Sequence, residues 1–63
     1  MIKFVRKYNW YGSTGYDVVY ENNRLYIFQE NELPKTVATF IQNATRVTEQ
    51  RDPYHGFETI YEA

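Results

Sequence analysis

The sequence contains no cysteine and only one histidine, His55, among its 63 residues. Without cysteine there are no disulfides and no thiolate metal sites, and a single imidazole excludes most histidine-based metal geometries. We therefore expect no cofactor and no metal. A chain this short buries only about 60% of the surface that its unfolded state exposes. Since small domains usually gain stability from disulfides, a metal or a second subunit, association with another chain is the remaining source.

Long hydrophobic runs are also missing. No apolar stretch approaches the ~20 residues that cross a bilayer, and no basic segment followed by an apolar stretch predicts a secretory signal. The lack of cysteine is compatible with a reducing compartment. These absences predict a cytoplasmic protein that does not bind membranes.

The net charge is small, at −1, which argues against both a strong DNA binder and a heavily acidic DNA mimic. The charge is unevenly spread, because the bases Lys3, Arg6 and Lys7 precede all eight acidic residues. The aromatic residues Tyr8 and Trp10 follow these bases directly. The segment therefore favours, as an alternative function, a single-stranded nucleic-acid binder that uses a basic-aromatic first strand.

Aromatic residues are abundant, with seven Tyr, four Phe and one Trp, and they lie in segments rich in β-formers. Four strands are predicted, over Ile2 to Tyr11, Tyr16 to Glu21, Arg24 to Gln29 and, shorter than the others, Phe57 to Tyr61. The stretch Gly12 to Gly15 has two glycines that tolerate positive φ and predicts a four-residue turn. Asn22-Asn23 predicts a two-residue turn between the second and third strands.

A helical period follows the third predicted strand. Apolar residues recur at helical spacing, and the set is Leu33, Val37, Phe40, Ile41, Ala44 and Val47. With Asn31 as its cap and the chain pushed out of the helical region before Pro53, the period predicts a helix over 32–49. We expect Val37, Phe40, Ile41 and Ala44 to be buried. The whole chain is then a single α+β domain, 1–63, with an antiparallel β-β-β meander, one amphipathic helix and a short C-terminal strand.

The turns set the registers. A four-residue loop at Gly12 to Gly15 places Tyr8 opposite Val19 and Arg6 opposite Glu21, and the second turn places Val19 opposite Tyr26 and Glu21 opposite Arg24. One sheet face then carries Phe4, Tyr8, Trp10, Val19, Tyr26 and Phe28, with Arg6, Glu21 and Arg24 as a charge ladder. A slip of one residue in the first hairpin changes which side chains of the first strand lie on which face of the sheet. In either register both faces are largely apolar, and one helix covers only one of them.

No combination of residues carries catalytic chemistry, because His55 has no Ser or Cys nucleophile placed against it. We therefore expect a protein that is not an enzyme. An aromatic sheet face interleaved with arginine has the composition of a protein interface. The predicted partner-binding residues are Arg6, Tyr8, Trp10, Arg24, Tyr26 and Phe28.

The occupant of that face has two candidates. One is a second copy in a homodimer, contacting through this face or through the edge made by the first strand. The other is a monomer whose face is reserved for a larger protein of unknown identity. The chain is small, free of cysteine, rich in Tyr and Asn and without an active-site signature. In these respects it is similar to orphan products of phages and other mobile elements. That resemblance implies an inhibitor of a host or defence protein.

Overall fold

A computed structural model describes residues 1–28, 30–52 and 56–63 of the chain. These residues form one five-stranded antiparallel sheet and one helix, so the predicted α+β class is confirmed. The elements are β1 (Ile2–Trp10), β2 (Ser13–Tyr20), β3 (Arg24–Ile27), a 3-10 turn (Glu30–Glu32), α1 (Lys35–Gln42), β4 (Arg46–Asp52) and β5 (Gly56–Glu62). The last residue of the predicted third strand, Gln29, and the turn residues 53–55, including His55, lie outside the described residues.

The strand order is β3-β2-β1-β5-β4. The first three strands form the predicted meander, and β5 then returns to pair with β1 on its free side. The expectation that the first strand forms an edge is therefore wrong, because β1 is the central strand. The two edges of the sheet belong to β3 and β4.

The first hairpin closes through a two-residue loop, Tyr11-Gly12, with φ angles of 51° and 82°. Two consecutive positive φ angles characterise a type I′ turn, whose twist matches that of the flanking strands. Trp10 pairs with Ser13, Tyr8 with Gly15 and Arg6 with Asp17. The predicted four-residue loop, with Tyr8 opposite Val19 and Arg6 opposite Glu21, is wrong.

The second hairpin also closes one residue earlier than predicted. The Tyr20 amide donates to the Asn23 carbonyl at 2.9 Å, so the loop is Glu21-Asn22, and Val19 pairs with Arg24. The predicted pairing of Glu21 with Arg24 is wrong. In both hairpins the register differs from the predicted one by an even number of residues, so the paired side chains from Phe4 to Trp10 and on β2 and β3 keep their predicted faces.

The helix is shorter than predicted at both ends. Leu33 precedes a proline and is therefore kept out of the helical region, and Pro34 is the N-cap residue, with extended backbone and no side-chain cap. Asn31, the predicted cap, lies in the 3-10 turn instead. The helix ends at Gln42, and the β-branched residues Val47 and Thr48 continue in β4 instead. The predicted helix over 32–49 is therefore wrong beyond Gln42. Val47, placed on its apolar side, is 54% exposed.

The helix covers one face of the sheet, which we call the helix face. Val5 and Val18 of this face and Val37 of α1 are fully buried, and Tyr16 and Ile27 complete the buried cluster. The predicted burial is confirmed for Val37. Phe40 and Ile41 are half-buried against the same cluster, and Ala44, also half-buried, lies beyond the end of the helix.

Candidate binding site on the open face

The sheet face opposite α1, which we call the open face, carries alternate residues of the meander strands. Its members on these three strands are Phe4, Arg6, Tyr8, Trp10, Ser13, Gly15, Asp17, Val19, Arg24, Tyr26 and Phe28. All six predicted partner-binding residues lie on this face. The structure thus brings them together, although the registers that placed them there were wrong.

Four aromatic rings on the open face touch in sequence. Tyr8 and Trp10 meet edge to face with ring centres 4.8 Å apart. Tyr26 stacks parallel to Tyr8 at 6.3 Å and to Phe28 at 5.9 Å. These rings surround a recess of about 380 Å³, the aromatic groove, which is lined by Tyr8, Trp10, Ser13, Thr14, Gly15, Tyr26 and Phe28. The groove is large enough for one bulky apolar or aromatic side chain of a partner.

The groove depends on the absence of a side chain at Gly15, which pairs directly with Tyr8. The backbone of Gly15 is not in the positive-φ region, and a Cβ there would meet the Ile27 carbonyl oxygen at 3.6 Å, an ordinary contact. The backbone thus tolerates a larger residue. Sequence reasoning assigned Gly15 to the turn, and the signal that it belongs to a strand is the alternation of residues 14–18.

A buried carboxylate holds Tyr8, one wall of the groove, in place. Tyr8 Oη donates to Asp17 Oδ2 at 3.4 Å and accepts a hydrogen bond of the same length from Arg6 Nη1. Arg24 Nε lies 3.3 Å from Asp17 Oδ1, an ion pair whose geometry falls short of a hydrogen bond. Asp17 is only 1% exposed, and a buried charge requires such partners. The acid of the predicted charge ladder is therefore Asp17 and not Glu21.

The same contacts shift the pKa values of two side chains, Tyr8 and Arg6. Burial raises the pKa of Tyr8, and hydrogen bonding with Tyr26 raises it further, while the nearby Arg6 acts in the opposite direction. The hydrogen bond to Tyr8 raises the pKa of Arg6, and the negative charge of Glu58 on β5 adds to this effect. Near neutral pH, Tyr8 is therefore a neutral donor to Asp17, and Arg6 is a cation.

The bases of the first strand do not form one strip. Lys7 points to the helix face, where its Nζ lies 5.8 Å from the centre of the Tyr16 ring. Lys3 is exposed at a bulge between Ile2 and Phe4, where the extra residue turns Ile2 toward the helix face. Only Arg6 of the three shares the open face with Tyr8 and Trp10. The predicted basic-aromatic strip is thus divided between two sides of the sheet.

Neither a protein-family model, nor a curated protein, nor a solved structure matches this chain. Within residues 1–28, 30–52 and 56–63, no helix has the length and apolar character that crossing a membrane requires. The same residues hold no group of three His, Cys, Asp or Glu side chains arranged for a metal ion. The aromatic groove and its network of Arg6, Tyr8, Asp17 and Arg24 therefore stand as the candidate site on geometry alone.

Proposed function

We propose that this protein is a non-enzymatic binding module that holds a protein partner through the aromatic groove of its open face. The observation that carries the proposal is a preformed apolar recess with four aromatic walls, no side chain at Gly15, and arginines at its side. Tyr, Trp and Arg dominate the binding energy of protein interfaces when they line a pocket at the centre of the contact. A bulky apolar or aromatic side chain of the partner is the anchor that fits this recess.

The contacts around Tyr8 support the proposal because they order the groove before binding. Tyr8 is held by hydrogen bonds to Arg6 and Asp17 and by ring contacts with Trp10 and Tyr26. Ordering a side chain at an interface costs about 0.5–1.5 kcal/mol. A wall that is already fixed in the free protein avoids that cost.

The charges of the open face favour a protein over single-stranded nucleic acid. Arg6 and Arg24 lie beside the acids Asp17 and Glu58, so this region has no excess of positive charge. Binding of nucleic acid depends on bases that neutralise phosphates and makes affinity fall steeply with salt. The aromatic rings alone would supply stacking without that attraction.

The proposal extends to the biological role of the module. A small, cysteine-free chain that carries one aromatic contact surface suits a cytoplasmic inhibitor that blocks a host or defence protein, as encoded by phages and mobile elements. Such an inhibitor acts by occupying a surface and needs no chemistry of its own.

The proposal is tested by filling the groove without altering the fold. Gly15→Val adds a β-branched side chain at a strand position that has room for its Cβ. Gln50→Val introduces the same residue at an exposed position on β4, which shares the open face through its pairing with Glu58 but does not line the groove. Each tagged protein is used to capture partners from a lysate of the source organism, with nuclease treatment, and bound proteins are quantified by mass spectrometry.

We expect a protein that is recovered with the wild type and with Gln50→Val and is depleted at least tenfold with Gly15→Val, irrespective of nuclease. Equal recovery by all three proteins would contradict the role of the groove. Recovery that disappears with nuclease, together with Trp10 fluorescence that responds to oligonucleotides in a salt-dependent way, would favour the nucleic-acid alternative instead.

A further inference from the structure

The two edges of the sheet differ in their protection against pairing. β4 carries the charged residues Arg46, Glu49 and Arg51, and charges on an edge discourage a further strand from adding to it. β3 has the sequence Arg-Leu-Tyr-Ile and is followed by Phe28. Leu25, Tyr26 and Phe28 are 43%, 51% and 77% exposed. β3 is therefore the more apolar of the two edges, with Arg24 as its one charged residue.

The hairpin fixes which backbone groups of β3 point outward. Tyr20 and Asn23 form a hydrogen-bonded pair at the loop, and such pairs alternate along an antiparallel ladder. Leu25, opposite Val18, and Ile27, opposite Tyr16, therefore bond to β2. Arg24, Tyr26 and Phe28 turn their amides and carbonyls away from the sheet.

We propose that β3 pairs in antiparallel fashion with β3 of a second copy of this chain, with the two-fold axis at Tyr26. In this register the outward groups of Tyr26 bond to those of Tyr26 in the second copy. Arg24 bonds to Phe28 of the second copy, and the reverse. Six backbone hydrogen bonds would form on this count, which follows from the alternation of bonded pairs.

The side chains of β3 make this register self-complementary. On the open face Tyr26 meets its own copy, and Arg24 lies across from Phe28, a favourable cation–aromatic pair. On the helix face Leu25 lies across from Ile27, so an exposed leucine gains an apolar neighbour. No like charges face each other, and cross-strand pairs of these kinds stabilise sheets. The charge pattern and the symmetry together identify the occupant as a second copy.

The small core makes the added burial valuable. The buried hydrophobic residues of the described chain are only Val5, Tyr8, Tyr16, Val18, Ile27 and Val37, and small domains of this size commonly rely on a second subunit. A two-fold contact uses one patch twice. Pairing through β3 also keeps both open faces on the same side of a continuous sheet, because directly paired residues share a face. The dimer would present two aromatic grooves side by side.

The register is tested by substituting charged residues for Tyr26, which lies at the proposed two-fold axis. Tyr26→Lys places two ammonium groups opposite each other, and Tyr26→Glu places two carboxylates there. Molar mass is measured by light scattering and sedimentation for the wild type, for each variant and for an equimolar mixture. Gln50→Lys and Gln50→Glu are the matched controls on β4, and circular dichroism verifies that each variant is folded.

We expect a wild-type dimer, a dimer dissociation constant raised at least about tenfold in each Tyr26 variant, and recovery of a mixed dimer when the two are combined. The Gln50 variants should behave as the wild type. Gly15→Val should remain dimeric, so that failure of the groove and failure of the dimer are told apart. A wild type that stays monomeric up to millimolar concentration would overturn the proposal, as would a dimer that Tyr26→Lys leaves unchanged. A wild type that is monomeric alone and uses β3 only to bind a captured protein would also overturn it, because the edge would then belong to that protein.

Discussion

At the scale of single residues, Tyr8 connects the fold to the candidate site. Its ring forms a wall of the aromatic groove, and its hydroxyl joins Arg6 to the buried Asp17. A residue that serves both packing and polar satisfaction is hard to replace, because a buried polar group left without a partner costs about 1–3 kcal/mol. The electrostatic state of Tyr8 is therefore part of the stability of the groove.

We predict that the protein loses stability as the pH rises above about 10, the ordinary pKa of tyrosine. Burial raises the pKa of Tyr8 in the folded state, so the unfolded chain releases this proton first. The contribution is fully present below the unfolded pKa and is lost as the pH rises through the folded one. Urea denaturation between pH 7 and pH 11 measures the loss as a falling midpoint.

Tyr8→Phe is the variant that isolates this effect, with Tyr20→Phe as the control on the helix face. Tyr8→Phe should be less stable than the wild type near neutral pH, because Asp17 loses a hydrogen bond. Its stability should then fall less steeply in alkali. An identical alkaline slope in the wild type and in Tyr8→Phe would show that Tyr8 does not carry the dependence.

At the scale of elements, the position where α1 ends determines which of two valines contributes to the buried core. Val37 is fully buried in α1, whereas Val47 lies on β4 and is 54% exposed. We predict that Val37→Ala lowers the free energy of unfolding by about 2 kcal/mol, and Val47→Ala by less than about 1 kcal/mol. Equal losses in urea denaturation would indicate a helix that continues through Val47.

The first turn stores strain at Tyr11. Its φ of 51° lies in the left-handed region, which an aromatic residue rarely adopts and which Asn tolerates. We predict that Tyr11→Asn stabilises the protein by about 0.5–1 kcal/mol, while Gly12→Ala destabilises it because Gly12 has a φ of 82°. Thermal and urea denaturation of both variants check this. A destabilised Tyr11→Asn would mean that contacts of the tyrosine side chain outweigh the backbone strain.

These elements show why the sheet faces were predictable and the turns were not. Alternation along β1, β2 and β3 assigns each residue to a face, and an error of two or four residues in the register leaves that assignment intact. The aromatic side of the sheet therefore followed from the pattern alone. A tyrosine in the left-handed region carries no sequence signal, and this hid the short Tyr11-Gly12 loop and, with it, the position of Gly15 in a strand.

The helix prediction failed for a related reason. A step of three residues from Ala44 to Val47 satisfies a helical period by chance, while Thr45, Val47 and Thr48 prefer an extended chain. Once β4 forms and pairs with β5, the Thr45 amide bonds to the Glu62 carbonyl, so tertiary contacts outweigh the local pattern. The buried Asp17 was missed because its partners depend on the register, which sequence spacing alone left two or more residues off.

At the scale of the whole molecule, we expect folding stability to be coupled to association between two copies of the chain. If β3 pairs with a second copy, unfolding is coupled to dissociation, and mass action makes the melting temperature depend on protein concentration. A tenfold rise in concentration is worth about 1.4 kcal/mol, which for a molecule of this size corresponds to a shift of several degrees. A melting curve recorded at several concentrations therefore reports the dimer without any label.

We predict that the melting temperature of the wild type rises with protein concentration and that Gln50→Lys shows the same rise. Tyr26→Lys should show no rise at concentrations where it is monomeric. The reason is that Gln50 lies on β4, away from the β3 edge, while Tyr26 lies on the proposed two-fold axis. At high dilution the wild-type curve should approach that of the folded monomer, whose small core around Val5, Val18 and Val37 sets the lower limit. A wild-type melting temperature independent of concentration, with scattering that gives 7.6 kDa throughout, would leave the β3 edge to a different protein.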